Sequence, residues 1–204
     1  MVKAIETRYK GYRFRSRLEA RWAVFFDALG VHYQYEPQGF TLRNWTAGAN
    51  YNYLPDFLLY DRDGQPAAWV EIKPFMPQLT ELSKLIDLCM AGKFTKTGGI
   101  DSVCDGFYLI GEPKQDEKCL WINNSFSKRL ETLGPYDPNL HVMPQSELLF
   151  IAPFCTDKLD DIWKPEVKFS EKVRQECGRI YNETVDAIFA KARSARFEFG
   201  ERGL

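Results

Sequence analysis

The sequence predicts an α/β fold, with a mixed central sheet flanked by helices and a long helix at its C-terminal end. Three observations carry that expectation. Two short apolar runs flank Asp63-Gly64, which is a strong β-hairpin signal. Two segments, Arg17 to Leu29 and Gln78 to Ala91, carry apolar residues at helical spacing. A continuous apolar run, Gly106 to Gly111, has the character of a strand covered on both faces.

In chain order, residues 1–14 are basic and polar, with Tyr9, Tyr12 and Phe14 set among Lys3, Arg8, Lys10 and Arg13. Ser16 is a good helix N-cap and Glu19 stands three residues on, which makes a capping box. Gly30 closes that helix, and Leu18, Trp22, Phe25, Phe26 and Leu29 form its apolar stripe. Val31 to Glu36 alternates as a strand ended by Pro37, with Glu36 either a strand-end charge or a further carboxylate near the site, and Phe40 to Leu42 is a second short strand. Asn44 to Asn52 is polar and glycine-containing, a loop whose Trp45 and Tyr51 either stack on bases or cover a core edge. Beyond the hairpin, Pro74 and Pro77 stop the strand before the helix of Gln78 to Ala91. Lys93 to Asp105 is a loop, Cys119 to Ile122 and Leu148 to Pro153 are short strands, and Asn123 to His141 is irregular. An acidic connector around Thr156 to Glu166 leads to the longest helix, Ser170 to Phe197, with a seam of Val173, Cys177, Ile180, Tyr181, Val185, Ile188 and Ala192. The expected organisation is a core over 1–155, with the connector and helix of 156–204 docked on it.

Composition narrows the function classes. The chain has 204 residues, 45% hydrophobic and 27% charged, with a formal net charge of -1. A nucleic-acid binder of this kind needs a local basic patch, because bulk charge supplies none. Five cysteines without a CxxC pair suit reduced thiols in a cytosol. No membrane-length apolar run or signal-peptide pattern is visible, so the expectation is a cytoplasmic protein with no membrane partner. Only His32 and His141 are present, too few for a histidine-based metal nuclease, and no glycine-rich loop suggests ATP.

The hairpin concentrates the chemistry. Folding the chain about a two-residue Asp63-Gly64 turn sets Arg62 opposite Gln65, Tyr60 opposite Ala67, Leu58 opposite Trp69, and Asp56 opposite Glu71. Alternation then puts Leu54, Asp56, Leu58, Trp69, Glu71 and Lys73 on one face. Opposed residues lie with Cβ atoms roughly 5 Å apart, and opposed like charges destabilise a sheet. Two carboxylates meeting on an apolar surface call for a cation between them, and hard divalent ions take oxygen ligands.

Pro55-Asp56 followed by Glu71-Ile72-Lys73 resembles the PD-(D/E)XK nuclease superfamily. The resemblance implies a restriction-endonuclease-like αβββαβ core. It implies that Asp56 and Glu71 bind Mg2+ or Mn2+, that Ile72 adds its backbone carbonyl, and that Lys73 positions or activates the attacking water. The first core helix there often carries a glutamate facing the metal. Glu19 fits that place, while a cap alone also accounts for it. On the following helix Gln78, Glu81 and Lys84 become second-rank candidates beside a plain solvated face. FRSRLEARWAVFFDALG, PD…EIK and ARSARFEFGE together look, more loosely, like small nuclease-like proteins of phages and prophages.

Arg13, Arg15, Arg17 and Arg21 crowd the first helix start, where the helix dipole does not favour cations. Arginine forks suit phosphate oxygens, and ion pairs with Glu6, Glu19 or Asp27 are the alternative. The expected activity is metal-dependent hydrolysis of DNA phosphodiester bonds, in a bacterial host cytoplasm if phage-encoded. Two other classes stand beside it: a non-catalytic binding subunit with a nuclease-like fold, and a structural triad in which Lys73 neutralises Asp56 and Glu71. Endo or exo mode, substrate form and a homodimer stay open.

Overall fold

The computed structural model describes residues 4–43, 48–61, 63–91, 105–114, 117–122, 140–145 and 171–197. Its elements are β1 (Thr7–Tyr9), β2 (Tyr12–Phe14), α1 (Arg17–Leu29), β3 (Tyr33–Tyr35), β4 (Phe40–Arg43), β5 (Asn50–Tyr53), β6 (Phe57–Tyr60), β7 (Pro66–Lys73), α2 (Leu79–Ala91), β8 (Asp105–Ile110), β9 (Lys118–Ile122), β10 (Leu140–Pro144) and α3 (Glu171–Ser194). The fold is α/β. A mixed six-stranded sheet runs β10-β9-β8-β7-β6-β3, with β8 parallel to β7 and every other pair antiparallel.

Both faces of this sheet are covered, which is why its strands read as apolar runs. Phe57, Leu59, Val70, Ile72, Phe107 and Leu109 turn to one face and pack with α1 and the C-terminal part of α3. Leu58, Trp69, Tyr108, Ile110 and Leu120 turn to the other and pack with α2 and the β4–β5 hairpin. Phe25 and Phe189 meet at 4.8 Å between ring centroids, so α3 docks on α1. Each such ring fully buried contributes about 1.5–3 kcal/mol. On the second face, Gly106 lets α2 approach β8: an added Cβ there would stand 2.7 Å from Cys89 Sγ. Tyr108 fixes that helix by donating its hydroxyl to Glu81 O at 2.7 Å.

Helix α1 begins and ends as its sequence dictates. Ser16 Oγ accepts from the Glu19 N–H at 3.2 Å, and Gly30 closes the helix at φ 79. The central hairpin differs from the simple count. Leu58 faces Trp69 as expected, but Tyr60 pairs with Pro66 across a bulge rather than with Ala67. The reversal is longer than two residues, because the Asp61 N–H donates to Gln65 O at 2.9 Å and Asp61 Oδ1 accepts from the N–H groups of Asp63 and Gln65. The bulge lies between the turn and Leu59, so the register at the acid end is unaffected.

Three further segments depart from the sequence expectation. Thr7 to Phe14 forms the β1–β2 hairpin, turning through Lys10 and Gly11 at φ 47 and 86, the positive values that a two-residue hairpin turn requires. The expected loop of 44–52 ends in β5, which pairs with β4 from Arg43↔Asn50 to Phe40↔Tyr53. Leu140 to Pro144, whose first two residues fall within a stretch expected to be irregular, is β10, the edge strand among the described residues. The expected strand at 148–153, the connector at 156–166 and Trp45 lie outside the described residues.

Candidate active site

The site lies at one end of the sheet, where the end of β3, the start of β6, the end of β7 and the first turn of α1 meet. Strand β6 begins at Phe57, opposite Val70, so Asp56 stands one step beyond the last ladder pair. There the Ile72 N–H has no strand to bond, and Asp56 Oδ2 accepts it at 2.7 Å. The Lys73 carbonyl accepts from the Gly111 N–H at 2.7 Å on the β8 side. Alternation along β7 therefore turns the Ile72 carbonyl to the side of Asp56.

Asp56 is 3% exposed and Glu71 8%. Each is covered by a more exposed cation. Arg15 Nη2 donates to Asp56 Oδ1 at 2.5 Å, and Arg15 Nε also lies 2.6 Å from Glu36 Oε1. Lys73 Nζ sits 2.9 Å from Glu71 Oε1, and the Tyr53 hydroxyl donates to Glu71 Oε2 at 2.9 Å. The Glu36 N–H donates to the Asp56 carbonyl at 2.8 Å, which ties β3 to this end of β6.

Glu19 is buried beside these groups and remains a helix-capping residue. Its Oε1 accepts from the Ser16 hydroxyl at 2.7 Å, and its Oε2 from the Tyr35 hydroxyl at 2.5 Å and the Arg15 N–H at 3.1 Å. The reciprocal arm of the capping box thus reaches one residue further back than usual, onto Arg15.

The electrostatics follow from this crowding. The Asp56 carboxyl is held well above the usual carboxylate range, first by burial and then by the charges of Glu71 and Glu19, against the opposing Ile72 N–H and Arg15. Burial pulls the Lys73 ammonium down, but Glu71, Asp56 and Glu81 outweigh it and leave its pKa raised. Lys73 is therefore a stable cation here.

The residues present fit a divalent ion. The donors are all oxygen, from Asp56, Glu71 and the Ile72 carbonyl. In the contact network three carboxylates, Glu36, Asp56 and Glu71, meet two cations, Arg15 and Lys73, while Glu19 accepts the Arg15 backbone N–H. Among the described residues no three His, Cys, Asp or Glu side chains form a metal-holding group.

The four arginines part company. Arg15 enters the site. Arg13 pairs with Glu6 on the surface, through Nε at 3.1 Å, and Arg21 is engaged by Glu112. Arg17 is exposed and donates to Phe197 O at 3.5 Å. Gln78 and Lys84 are exposed; the Gln78 N–H donates to Glu81 Oε2 at 3.0 Å, and neither side chain bonds to the acids among the described residues. Tyr51 donates to Asp87 Oδ2 at 2.8 Å, so it braces β5 against α2. The sequence points to neither Tyr53 nor Tyr35, and it leaves Glu36 either a strand-end charge or a further carboxylate near the site; the structure joins Glu36 to Arg15. The one available signal for Tyr53 was the alternation of Asn50-Tyr51-Asn52-Tyr53, which sends the tyrosines inward. Among the described residues no helix is long and apolar enough to cross a membrane. No protein-family model, curated protein or solved structure matches this chain.

Proposed function

We propose that the protein is a metal-dependent nuclease that hydrolyses phosphodiester bonds in DNA, with a restriction-endonuclease-like core. The observation that carries this reading is the convergence of Asp56, Glu71 and the Ile72 carbonyl side, with Lys73 beside them, at one strand end. The chain order supports it: α1, then the antiparallel strands β3, β6 and β7, then α2, then the parallel strand β8. The β4–β5 hairpin is inserted between the first two of those strands.

Asp56 and Glu71 would hold the ion. Magnesium or manganese, when bound, supplies Lewis-acid polarisation of the phosphate and a more acidic water. Lys73, kept charged by its neighbours, orients that water and offsets charge that builds on the phosphate. Tyr53 fixes the Glu71 carboxylate, so its free lone pairs stay aimed at the site. Glu19 acts through Arg15 and Tyr35 and sets the position of the α1 start. Beyond Lys73, Phe75 is 80% exposed and Met76 53%, an apolar lip on which a base can lie.

A second reading rests on a specific observation. All four carboxylate oxygens of Asp56 and Glu71 already have a protein partner, as a non-catalytic binding subunit or a structural ion-pair network would have. The experiment that separates the two readings is a panel of supercoiled, linear, branched and single-stranded DNA incubated with Mg2+ or Mn2+. Cleavage that EDTA stops and Glu71→Ala removes supports the nuclease. Equal cleavage by the Glu71→Ala protein, or none by the wild type on any substrate, removes it.

A further inference from the structure

We propose that Glu36 holds Arg15 over Asp56 as a removable counterion, and that Arg15 turns to the scissile phosphate once a divalent ion takes its place on that carboxylate. The proposal rests on the nuclease reading and deepens it.

The two cations at the site are tied differently. Lys73 comes from the same strand as its partner Glu71 and is 26% exposed in its side chain. Arg15 comes from the segment before α1, 41 residues from Asp56 in sequence, and its side chain is 55% exposed over an aspartate side chain that is 4% exposed. Its root is fixed, because its backbone N–H donates to Glu19 Oε2 at 3.1 Å and to the Tyr35 hydroxyl at 3.0 Å. A pinned backbone with a half-exposed side chain can change partners without moving the helix. The fork it carries matches phosphate oxygens as well as it matches a carboxylate.

Glu36 has the marks of a dock. Its φ is 45, a left-handed conformation that a non-glycine residue seldom adopts and that tends to be retained at functional sites. Its backbone N–H holds the Asp56 carbonyl at 2.8 Å, so the strained residue is anchored to the acid it serves. Its Oε1 is buried without a hydrogen-bond partner, and the 2.6 Å approach of Arg15 Nε is an ion pair off the N–H direction. Such a contact attracts the guanidinium without locking its orientation. With Asp56 occupied by a divalent ion, Glu36 still keeps Arg15 within reach of a phosphate bound there. Glu36 is thus a positioning residue, and Arg15 is the group that meets substrate.

The test is calorimetric titration of the metal-free protein with Mn2+ alone, followed by plasmid-nicking kinetics. Arg15→Ala, and Arg15→Gln as the variant closer in shape, no longer compete for Asp56. Both bind Mn2+ about tenfold more tightly than wild type, yet both lose kcat. Their metal-free forms melt lower, because Asp56 has lost its counterion. Glu36→Gln keeps Mn2+ affinity within about threefold of wild type and loses kcat, since the dock no longer carries charge. Unchanged or weaker Mn2+ binding by a folded Arg15→Gln protein overturns the counterion exchange while leaving the nuclease reading in place. Absence of Mn2+ binding by the wild type overturns that reading, and the exchange with it.

Discussion

Asp56 and Glu71 are equivalent in the linear motif and unlike in the folded chain. Glu71 is served locally, by Lys73 two residues on and by the Tyr53 hydroxyl from β5. Asp56 stands off the end of its strand, takes the Ile72 N–H, and receives its cation from a distant segment. Asp56 is pushed strongly toward its neutral form, by burial and by the charges of Glu71 and Glu19. In the proposed ion site the two acids therefore divide their tasks. One is held rigid by its own strand, and the other is held at an electrostatic disadvantage that an ion relieves.

The largest effects break both halves together. Asp56→Ala, Glu71→Ala and Lys73→Ala each lower Mg2+-dependent nicking by roughly a thousandfold or more, while circular dichroism and melting show the fold intact. A charge-neutral change then separates the halves. Asp56→Asn keeps an acceptor for the Ile72 N–H and removes the repulsion, so the metal-free protein gains about 1 kcal/mol at neutral pH as it loses function. Glu71→Gln gains less, because it gives up the local Lys73 pair.

The pH dependence sharpens the same contrast. The folded-state pKa of Asp56 is raised, so its stabilising contribution is fully present below its ordinary value of 3.8 and is lost as pH rises through the folded value. The melting temperatures of wild type and Asp56→Asn therefore converge at low pH and separate upward. Saturating Mn2+ restores the wild type alone. Tyr53→Phe removes one hydrogen bond from Glu71 and costs about 1 kcal/mol in transition-state stabilisation, read as roughly fivefold in kcat/KM. The smallest effect is expected at Arg13, whose exposed pair with Glu6 leaves both nicking and melting unchanged in Arg13→Ala.

Local signals were legible in the sequence where local physics decides the outcome. Ser16, Glu19 and Gly30 bracket α1 through caps that need no tertiary help. The Leu58↔Trp69 register survived an incorrect turn, because the bulge absorbed the extra residue between Leu59 and the turn. Strand β5 was hidden because its asparagines are poor strand formers, and only its pairing with β4 and packing on α2 make it a strand. The basic character of residues 7–14 masked a hairpin whose inward residues, Thr7, Tyr9 and Phe14, are buried. Asp56, Glu71 and Lys73 were legible because short-range alternation brings them together. Arg15, Glu36 and Tyr53 arrive from separate elements, and no spacing rule connects them. Of four similar arginines, tertiary geometry alone selects Arg15.

Calorimetric titration of the metal-free wild type, Asp56→Asn and Glu71→Gln proteins with Mn2+ tests the central claim most directly. The two acids acting as one divalent-ion site predict a single binding event in the wild type that both substitutions remove. Wild-type protein that takes up no Mn2+, or variants that bind it as tightly as the wild type, would contradict the claim.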